Sequence, residues 1–120
     1  MRKLVLVVGV LVVFALPGVS AATTAAAVNV VHISAPASGL RYTQTTVHAH
    51  AGRIKIVFTN HSALKHNVNV EKGEQELGKS ATISHSTTTM FVTLKAGKYN
   101  FYCSVPGHEA AEMHGTLIVT

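Results

Sequence analysis

The sequence has 120 residues, 48% of them hydrophobic, and a formal net charge of +5. This length leaves room for one domain with a modest core. Its ten basic residues form no run interleaved with aromatic side chains, and this argues against nucleic-acid binding. The single cysteine, Cys103, excludes an internal disulfide.

The N-terminus has the layout of a secretory signal. Two basic residues at positions 2 and 3 precede an uncharged apolar run at residues 4–16, and small residues follow as far as Ala22. We therefore predict a signal peptide over residues 1–22 and export to the periplasm or another extracytoplasmic space. The run is shorter than the ~20 residues that a membrane span needs, so an N-terminal segment retained as an anchor is the less favoured alternative.

After a flexible lead-in at residues 23–27, residues 28–120 show the period-two patterning and turn residues of short β-strands. The predicted strands cover residues 28–34, 46–51, 53–59, 66–70, 81–85, 88–94, 98–103 and 115–120. The polar stretch 72–80 contains two glycines and predicts a long loop or a short helix. Seven or eight short strands in one domain favour an antiparallel β-sandwich.

The alternation also predicts which side chains face the core, because successive side chains on a strand point to opposite faces. Cys103 has the same parity as Tyr99 and Phe101, and His66 has the same parity as Val68. Both the thiol and this imidazole are therefore expected to point inward at strand ends, into apolar surroundings.

The stretch YCSVPGHEAAEMHG at residues 102–115 gathers a thiol, an imidazole and a thioether: Cys103, His108 and Met113. A turn at Pro106-Gly107 lets these side chains converge. Together with His66, they supply the Cys/His₂ set with a weak axial Met that is typical of blue copper sites. The alternative is a buried thiol, a loop histidine and a core methionine that lie close together without binding a metal.

The same residues carry a family resemblance. FYCSVPGHEAAEMHGTLIV, together with the upstream LKHNVNV, resembles the small blue copper proteins, the cupredoxins. The Cys-x4-His-x4-Met spacing is closer to the auracyanin, rusticyanin and sulfocyanin type than to plastocyanin. The resemblance extends over nearly the whole chain after the signal segment, and it implies a Greek-key β-sandwich.

The resemblance also implies roles for individual residues. His66, Cys103 and His108 would be the strong equatorial ligands of one type 1 copper, and Met113 the weak axial ligand. Asn67, next to the first histidine, would tie the two ligand-bearing loops together through Ser104. With all four ligand positions filled by the protein, no position remains for a substrate, so we predict an electron carrier and not an enzyme.

Redox proteins such as a cytochrome, an oxidase or a reductase are the expected partners of a monomeric carrier. They would dock transiently near His108, where Val105, Pro106, Ala110 and Ala111 can form an apolar patch. Without the two basic residues of the signal segment, eight basic and five acidic residues remain, which allows weak peripheral association with a membrane surface. The alternative function is copper delivery or storage with the same ligands.

The other histidines are not expected to bind the copper. The spacing of His48 and His50 could hold zinc, but without a third ligand we interpret both as exposed strand histidines. His61 is not expected to point inward, because it lacks the strand alternation that places His66 on the core side. His114 is expected to face the opposite side from Met113. The two that remain, His32 and His85, are expected at the surface.

Overall fold

Eight strands make up the folded part of the chain. A computed structural model describes residues 9–21 and 29–120. The strands are β1 (Asn29–Ala35), β2 (Thr46–Ala49), β3 (Gly52–Asn60), β4 (Asn69–Lys72), β5 (Gln75–Lys79), β6 (Ser86–Leu94), β7 (Gly97–Tyr102) and β8 (His114–Val119). The all-β sandwich of seven or eight strands predicted from the sequence is confirmed.

The strands form two sheets, one of three strands in the order β1-β3-β6 and one of five in the order β2-β8-β7-β4-β5. Most neighbours are antiparallel, but β1 runs parallel to β3 and β2 runs parallel to β8. Both sheets are therefore mixed, and the prediction of a purely antiparallel sandwich is wrong in this respect. Period-two patterning identifies strands but carries no information about the direction of their partners.

The core lies between the two sheets and is built by side chains of one parity on each strand. Ile54, Ile56 and Phe58 on β3 are completely buried, as are Phe101 on β7 and Val70 on β4. Full burial of one such side chain contributes about 1.5–3 kcal/mol to stability. The aromatic ring of Phe101 packs at 5.2 Å, centroid to centroid, from that of Tyr42, which comes from the loop before β2.

Three segment predictions are wrong. The strand expected at 66–70 begins only at Asn69, and the strand expected at 81–85 is reduced to a single bridge between His66 and Ile83. The stretch 72–80 is neither a loop nor a helix but a hairpin: β4 turns at Gly73, with φ of 60°, and returns as β5. Because β5 is a mostly polar edge strand, it lacks the alternation that marks a half-buried strand.

The two ends of the sandwich differ in the chain segments that they carry. At one end lie the loop after β3 and the loop between β7 and β8. At the other end, the Asn29 side chain accepts a hydrogen bond from the His50 backbone N–H and donates one to the His50 carbonyl. The Thr120 backbone N–H donates to the Ala49 carbonyl there as well. The chain therefore enters β1 and leaves β8 at this second end.

Residues 9–21 are exposed and have no regular secondary structure. In the described part of the chain, no helix has the length and hydropathy of a membrane span. The predicted signal peptide at 1–22 lies partly, and the lead-in at 23–27 wholly, outside the described residues, so both stay predictions.

Candidate metal centre

Cys103 follows directly after β7 and continues its alternation. Tyr99 and Phe101 on β7 are buried, and the Cys103 side chain is completely buried on the same face. The backbone N–H of Cys103 donates to the carbonyl of Met113 at 3.1 Å, immediately before β8. The sheet thus holds the thiol at the end of the sandwich, in the apolar surroundings that parity predicted.

The loop after Cys103 is closed by its own backbone hydrogen bonds. The N–H of His108 donates to the carbonyl of Val105 at 3.0 Å, and the N–H of Met113 donates to the carbonyl of His108 at 3.1 Å. Gly107 has a φ of 82°, a conformation that glycine adopts without steric cost. The loop therefore folds back, and His108 comes close to Cys103.

His66 reaches the same end from the other loop. It forms a two-bond bridge with Ile83, with both N–H to carbonyl distances 2.9 Å, and its side chain is completely buried. The buried Asn60 side chain supports this loop, because its amide donates to the carbonyls of Leu64 and Ile83 at 2.7 Å each. The position of His66 is thus determined by the backbone on both sides.

Three potential ligand atoms meet at one point. The two Nδ1 atoms of His66 and His108 are 3.1 Å apart, and the Sγ atom of Cys103 lies 3.9 Å from the first and 3.5 Å from the second. A triangle with these edges has a point about 2 Å from every corner, and nitrogen and sulfur bonds to zinc, the neighbour of copper, are ~2.0–2.3 Å long. Among the described residues, this is the one cluster of three or more His, Cys or acidic side chains with the spacing of a metal site.

Met113 completes the donor set. Its side chain is completely buried, and its backbone bonds both to Cys103 and to the His108 carbonyl. Two imidazoles, a thiol and a thioether match the soft and borderline ligands that copper prefers, whereas magnesium and calcium require oxygen. The residues present therefore fit a type 1 copper, and the arrangement of His66, Cys103, His108 and Met113 is that of a blue copper site.

The electrostatics at His66 favour a neutral ring. Burial and, to a lesser extent, the neighbouring His108 lower the pKa of His66 below its ordinary value. A neutral imidazole keeps a lone pair for a metal. Its other nitrogen, Nε2, is buried without a hydrogen-bond partner among the described residues, so the ring is held by packing and by its backbone.

Asn67 connects the two loops. Its side-chain oxygen accepts from the backbone N–H of Ser104 at 2.9 Å, and its amide donates to the hydroxyls of Ser104 and Thr82, both at 2.9 Å. The family resemblance implied the contact of Asn67 with Ser104, but the sequence analysis missed two further contacts. These are Thr82 and the hydroxyl of Tyr42, which donates to the backbone carbonyl of Asn67.

The structure places the other six histidines outside this cluster, with exposed side chains. They are His32, His48, His50, His61, His85 and His114. His114 begins β8 and points away from the buried Met113, as parity predicted. Tyr42 and Thr82 gave no sequence signal because neither lies in a strand, and no local pattern reveals a partner that is distant in sequence.

The comparisons with known proteins agree with this geometry. The family of cupredoxin-like domains matches residues 4–119. Auracyanin A, a blue copper protein from Chloroflexus aurantiacus, is 23% identical, with a TM-score of 0.73 over 78% of this chain and 100% of its own.

A reduced auracyanin from Roseiflexus castenholzii is 21% identical, with a TM-score of 0.72 over 77% of this chain and 97% of its own. Reduced rusticyanin is 20% identical, with a TM-score of 0.61 over 77% and 80% of the two chains. At these identities the structural likeness shows the fold. No curated protein sequence matches the chain significantly. Because the family match spans almost the whole sequence, this chain belongs to the family of cupredoxin-like domains.

Proposed function

We propose that this protein carries single electrons between extracytoplasmic redox partners by means of one type 1 copper. The observation that supports the proposal most strongly is the convergence of the Cys103 sulfur with one nitrogen each of His66 and His108. The relatives named above bear the same fold, and one of them is described as a blue copper protein.

The chain's own residues would hold the copper rigidly. Copper, when bound, supplies a centre that alternates between Cu(I) and Cu(II). His66 and Cys103 are completely buried and are fixed by backbone hydrogen bonds, and Asn67 links their loops. A site whose ligands are fixed in this way changes little when the charge of the metal changes, which favours fast electron exchange. All four ligands come from the protein, so the proposal involves no substrate site and no catalysis.

His108 is the proposed point of electron exit. Its side chain is half-buried, whereas His66 is fully buried. The apolar patch formed by Val105, Pro106, Ala110 and Ala111 belongs to the same loop; the first is half-buried and the others are exposed. An apolar surface of this small size suits the weak, transient docking of a cytochrome, oxidase or reductase to a monomeric carrier. Export is proposed on the N-terminal sequence alone, and a retained segment would add membrane association.

Visible and EPR spectra of the protein reconstituted with Cu(II) test the copper site. We expect an intense thiolate-to-copper absorption, which Cys103→Ser abolishes because a hydroxyl is a poor ligand for copper. His48→Ala, at the opposite end of the sandwich, is the matched control and should leave the spectrum unchanged. A colourless wild-type protein, or a blue Cys103→Ser variant, would contradict the proposal.

The carrier role needs a kinetic test. We expect a reversible reduction potential and fast electron exchange with a soluble cytochrome, slowed by a charge placed in the apolar patch, as in Ala110→Glu. Slow exchange by a fully blue protein would instead favour copper delivery or storage with the same ligands.

A further inference from the structure

Two further histidines flank the end of the three-stranded sheet. His61 follows β3 directly and His85 precedes β6 directly. The β3–β6 register ends with the pair Asn60 and Ser86, so the two histidines directly flank the last pair of the ladder, and the backbone leaves the strand conformation at His85, with a φ of 46°.

A pair of threonines lies on the outer face of this sheet, near the end of the ladder. Thr59 and Thr87 are cross-strand partners, and their hydroxyl oxygens lie 3.1 Å apart. His61 is two residues after Thr59, and His85 is two residues before Thr87. Both histidines therefore lie close in sequence to this pair of hydroxyl groups.

Both histidines line a single open surface cavity of about 240 Å³, together with Thr59, Asn60, Ser86 and Thr87. The backbone fixes each histidine: the N–H of His61 donates to the carbonyl of Ala35 at 3.0 Å, and the N–H of His85 donates to the carbonyl of Ser62 at 2.9 Å. In the described chain, the histidine rings that form hydrogen bonds are those of His50, His66 and His108. The rings of His61 and His85 are thus exposed and have unused nitrogens.

We propose that this cavity binds a divalent transition-metal ion through His61 and His85, separately from the copper site. Neutral imidazole is the commonest metal ligand in proteins and suits zinc, copper and nickel. Hydroxyl oxygens of the lining residues and water would complete the coordination. The amide of Asn60 does not take part, because its hydrogen atoms already bond to two backbone carbonyls.

The site lies at the same end of the sandwich as the copper ligands and shares their backbone supports. Asn60 accepts from the N–H of Ser62 at 2.9 Å and donates to the carbonyl of Ile83, whose N–H bonds back to His66. Ser62 in turn holds His85. An ion bound by His61 and His85 would therefore cross-link the start of the loop after β3 to the segment before β6. These are the two segments that support the His66 loop.

The other histidine pair provides a matched control. His48 and His50 are also exposed and also line one cavity, of about 220 Å³, at the opposite end of the sandwich. There, Nδ1 of His50 lies 3.4 Å from the Thr120 hydroxyl, and both histidines come from a single strand segment. Any affinity that two exposed histidines have for metal in general would be equal at the two pairs.

The test is a titration of the copper-loaded, reduced protein with Zn²⁺, followed through the ring nitrogens of the histidines by NMR. Reduced copper is diamagnetic, so every ring remains observable. We expect the nitrogens of His61 and His85 to shift together and to saturate at one equivalent, before those of His48 and His50 move. Shifts at His66 and His108 without shifts at His61 and His85 would place the zinc in the copper site and overturn the proposal.

Variants decide the assignment. His61→Ala and His85→Ala should each weaken zinc binding at least about tenfold, the smallest loss usually seen when even an outer partner of a metal ligand is removed. The double variant His48→Ala/His50→Ala should bind zinc with unchanged affinity. Unchanged copper absorption of the oxidised protein, recorded before reduction, would show that each variant is folded. Equal affinity in wild type and His61→Ala, earlier shifts at His48 and His50, or no shift up to millimolar zinc would overturn the proposal.

Discussion

Single side chains that do not touch the metal determine how firmly the ligands are held. Asn67 is almost completely buried, and two of its side-chain hydrogen bonds, both to Ser104, join the His66 segment to the Cys103 segment, while a third goes to Thr82. Tyr42 supports Asn67 from the core side: its ring packs in the core, and its hydroxyl donates a hydrogen bond to the Asn67 carbonyl. Parity in the sequence was enough to turn Cys103 and His66 inward, and the loop spacing and the family resemblance added His108 and Met113, whereas Tyr42 and Thr82 act through contacts that no local pattern encodes.

Asn67→Ala should lower the free energy of unfolding by about 1–3 kcal/mol, because it leaves polar partners unsatisfied at a largely buried position. Thr82→Val removes one of the three bonds and should cost less, about 0.5–1.5 kcal/mol. Urea unfolding of the copper-free proteins measures both. Equal losses in the two variants would show that Asn67 does not join the loops as described.

The stability of the protein should fall as the pH rises above about 10, the ordinary pKa of tyrosine. Burial, with a smaller contribution from Cys103, raises the pKa of Tyr42 well above that value. Below pH ~10, folded and unfolded chains both keep the proton, so the shift has no effect. Above it, the unfolded chain loses the proton and the folded chain does not, which lowers stability by up to about 1.4 kcal/mol per pH unit.

Urea unfolding at neutral and at alkaline pH, with Tyr42→Phe as the variant, checks this dependence. From neutral to alkaline pH, the free energy of unfolding should fall less for the variant than for wild type. At neutral pH the variant should already be less stable, because it lacks the hydrogen bond from the Tyr42 hydroxyl to Asn67. Tyr102→Phe, which keeps the buried Tyr42, is the control and should follow wild type. A Tyr42→Phe profile parallel to wild type would contradict the argument.

At the scale of elements, sequence alternation succeeded where one face of a strand is buried and failed elsewhere. On β3 and β7 it identified the core residues and the orientation of Cys103 correctly. On β5, which is exposed or half-buried along its whole length, no alternation exists to detect. The His66 segment is intermediate. Alternation correctly predicted that His66 points inward, but this segment is held by one bridge to Ile83 and not by a strand ladder.

The pairing of β7 with β8 leaves no room for a side chain at Gly115. It lies opposite Phe101 in the register, and a Cβ atom there would overlap three carbons of the Phe101 ring. Since Phe101 is completely buried, Gly115→Ala should lower the free energy of unfolding by about 1–3 kcal/mol or more.

Gly78→Ala is the matched control for this prediction. Its Cβ would come within 2.8 Å of the terminal methyl of Met90, which can move aside. Thermal unfolding should therefore show a clearly smaller loss than for Gly115→Ala. The reverse order would mean that Phe101 is free to move and that this part of the core is loosely packed.

For the whole molecule, the sandwich separates a ligand-bearing end from the end where the chain enters and leaves the fold. The parallel pairing of β2 with β8 was not predictable from patterning, yet it is what brings His50 beside Thr120 at the second end. The metal ligands come from the loops at the first end, so a bound ion would join segments that are 37 residues apart, Cys103 and His66.

Copper should therefore stabilise the entire domain. A ligand that binds only the folded state adds about 4 kcal/mol at a free concentration one thousand times its dissociation constant. Thermal unfolding with and without Cu(II) should show a large rise in Tm for wild type and a much smaller one for Cys103→Ser. Equal Tm values of the copper-loaded and copper-free wild type would contradict this expectation.

The contact between Asn29 and His50 has a consequence for how the protein would meet other molecules. A leader kept in a lipid bilayer would be attached to the end of the sandwich where the chain enters β1. The opposite end, which carries the metal ligands, would then face the surrounding medium. If a peptidase removed the leader, the carrier would diffuse freely, with the same ligand-bearing end exposed. Retention or removal would thus change the range over which the carrier travels, while the end that it offers to a partner stays the same.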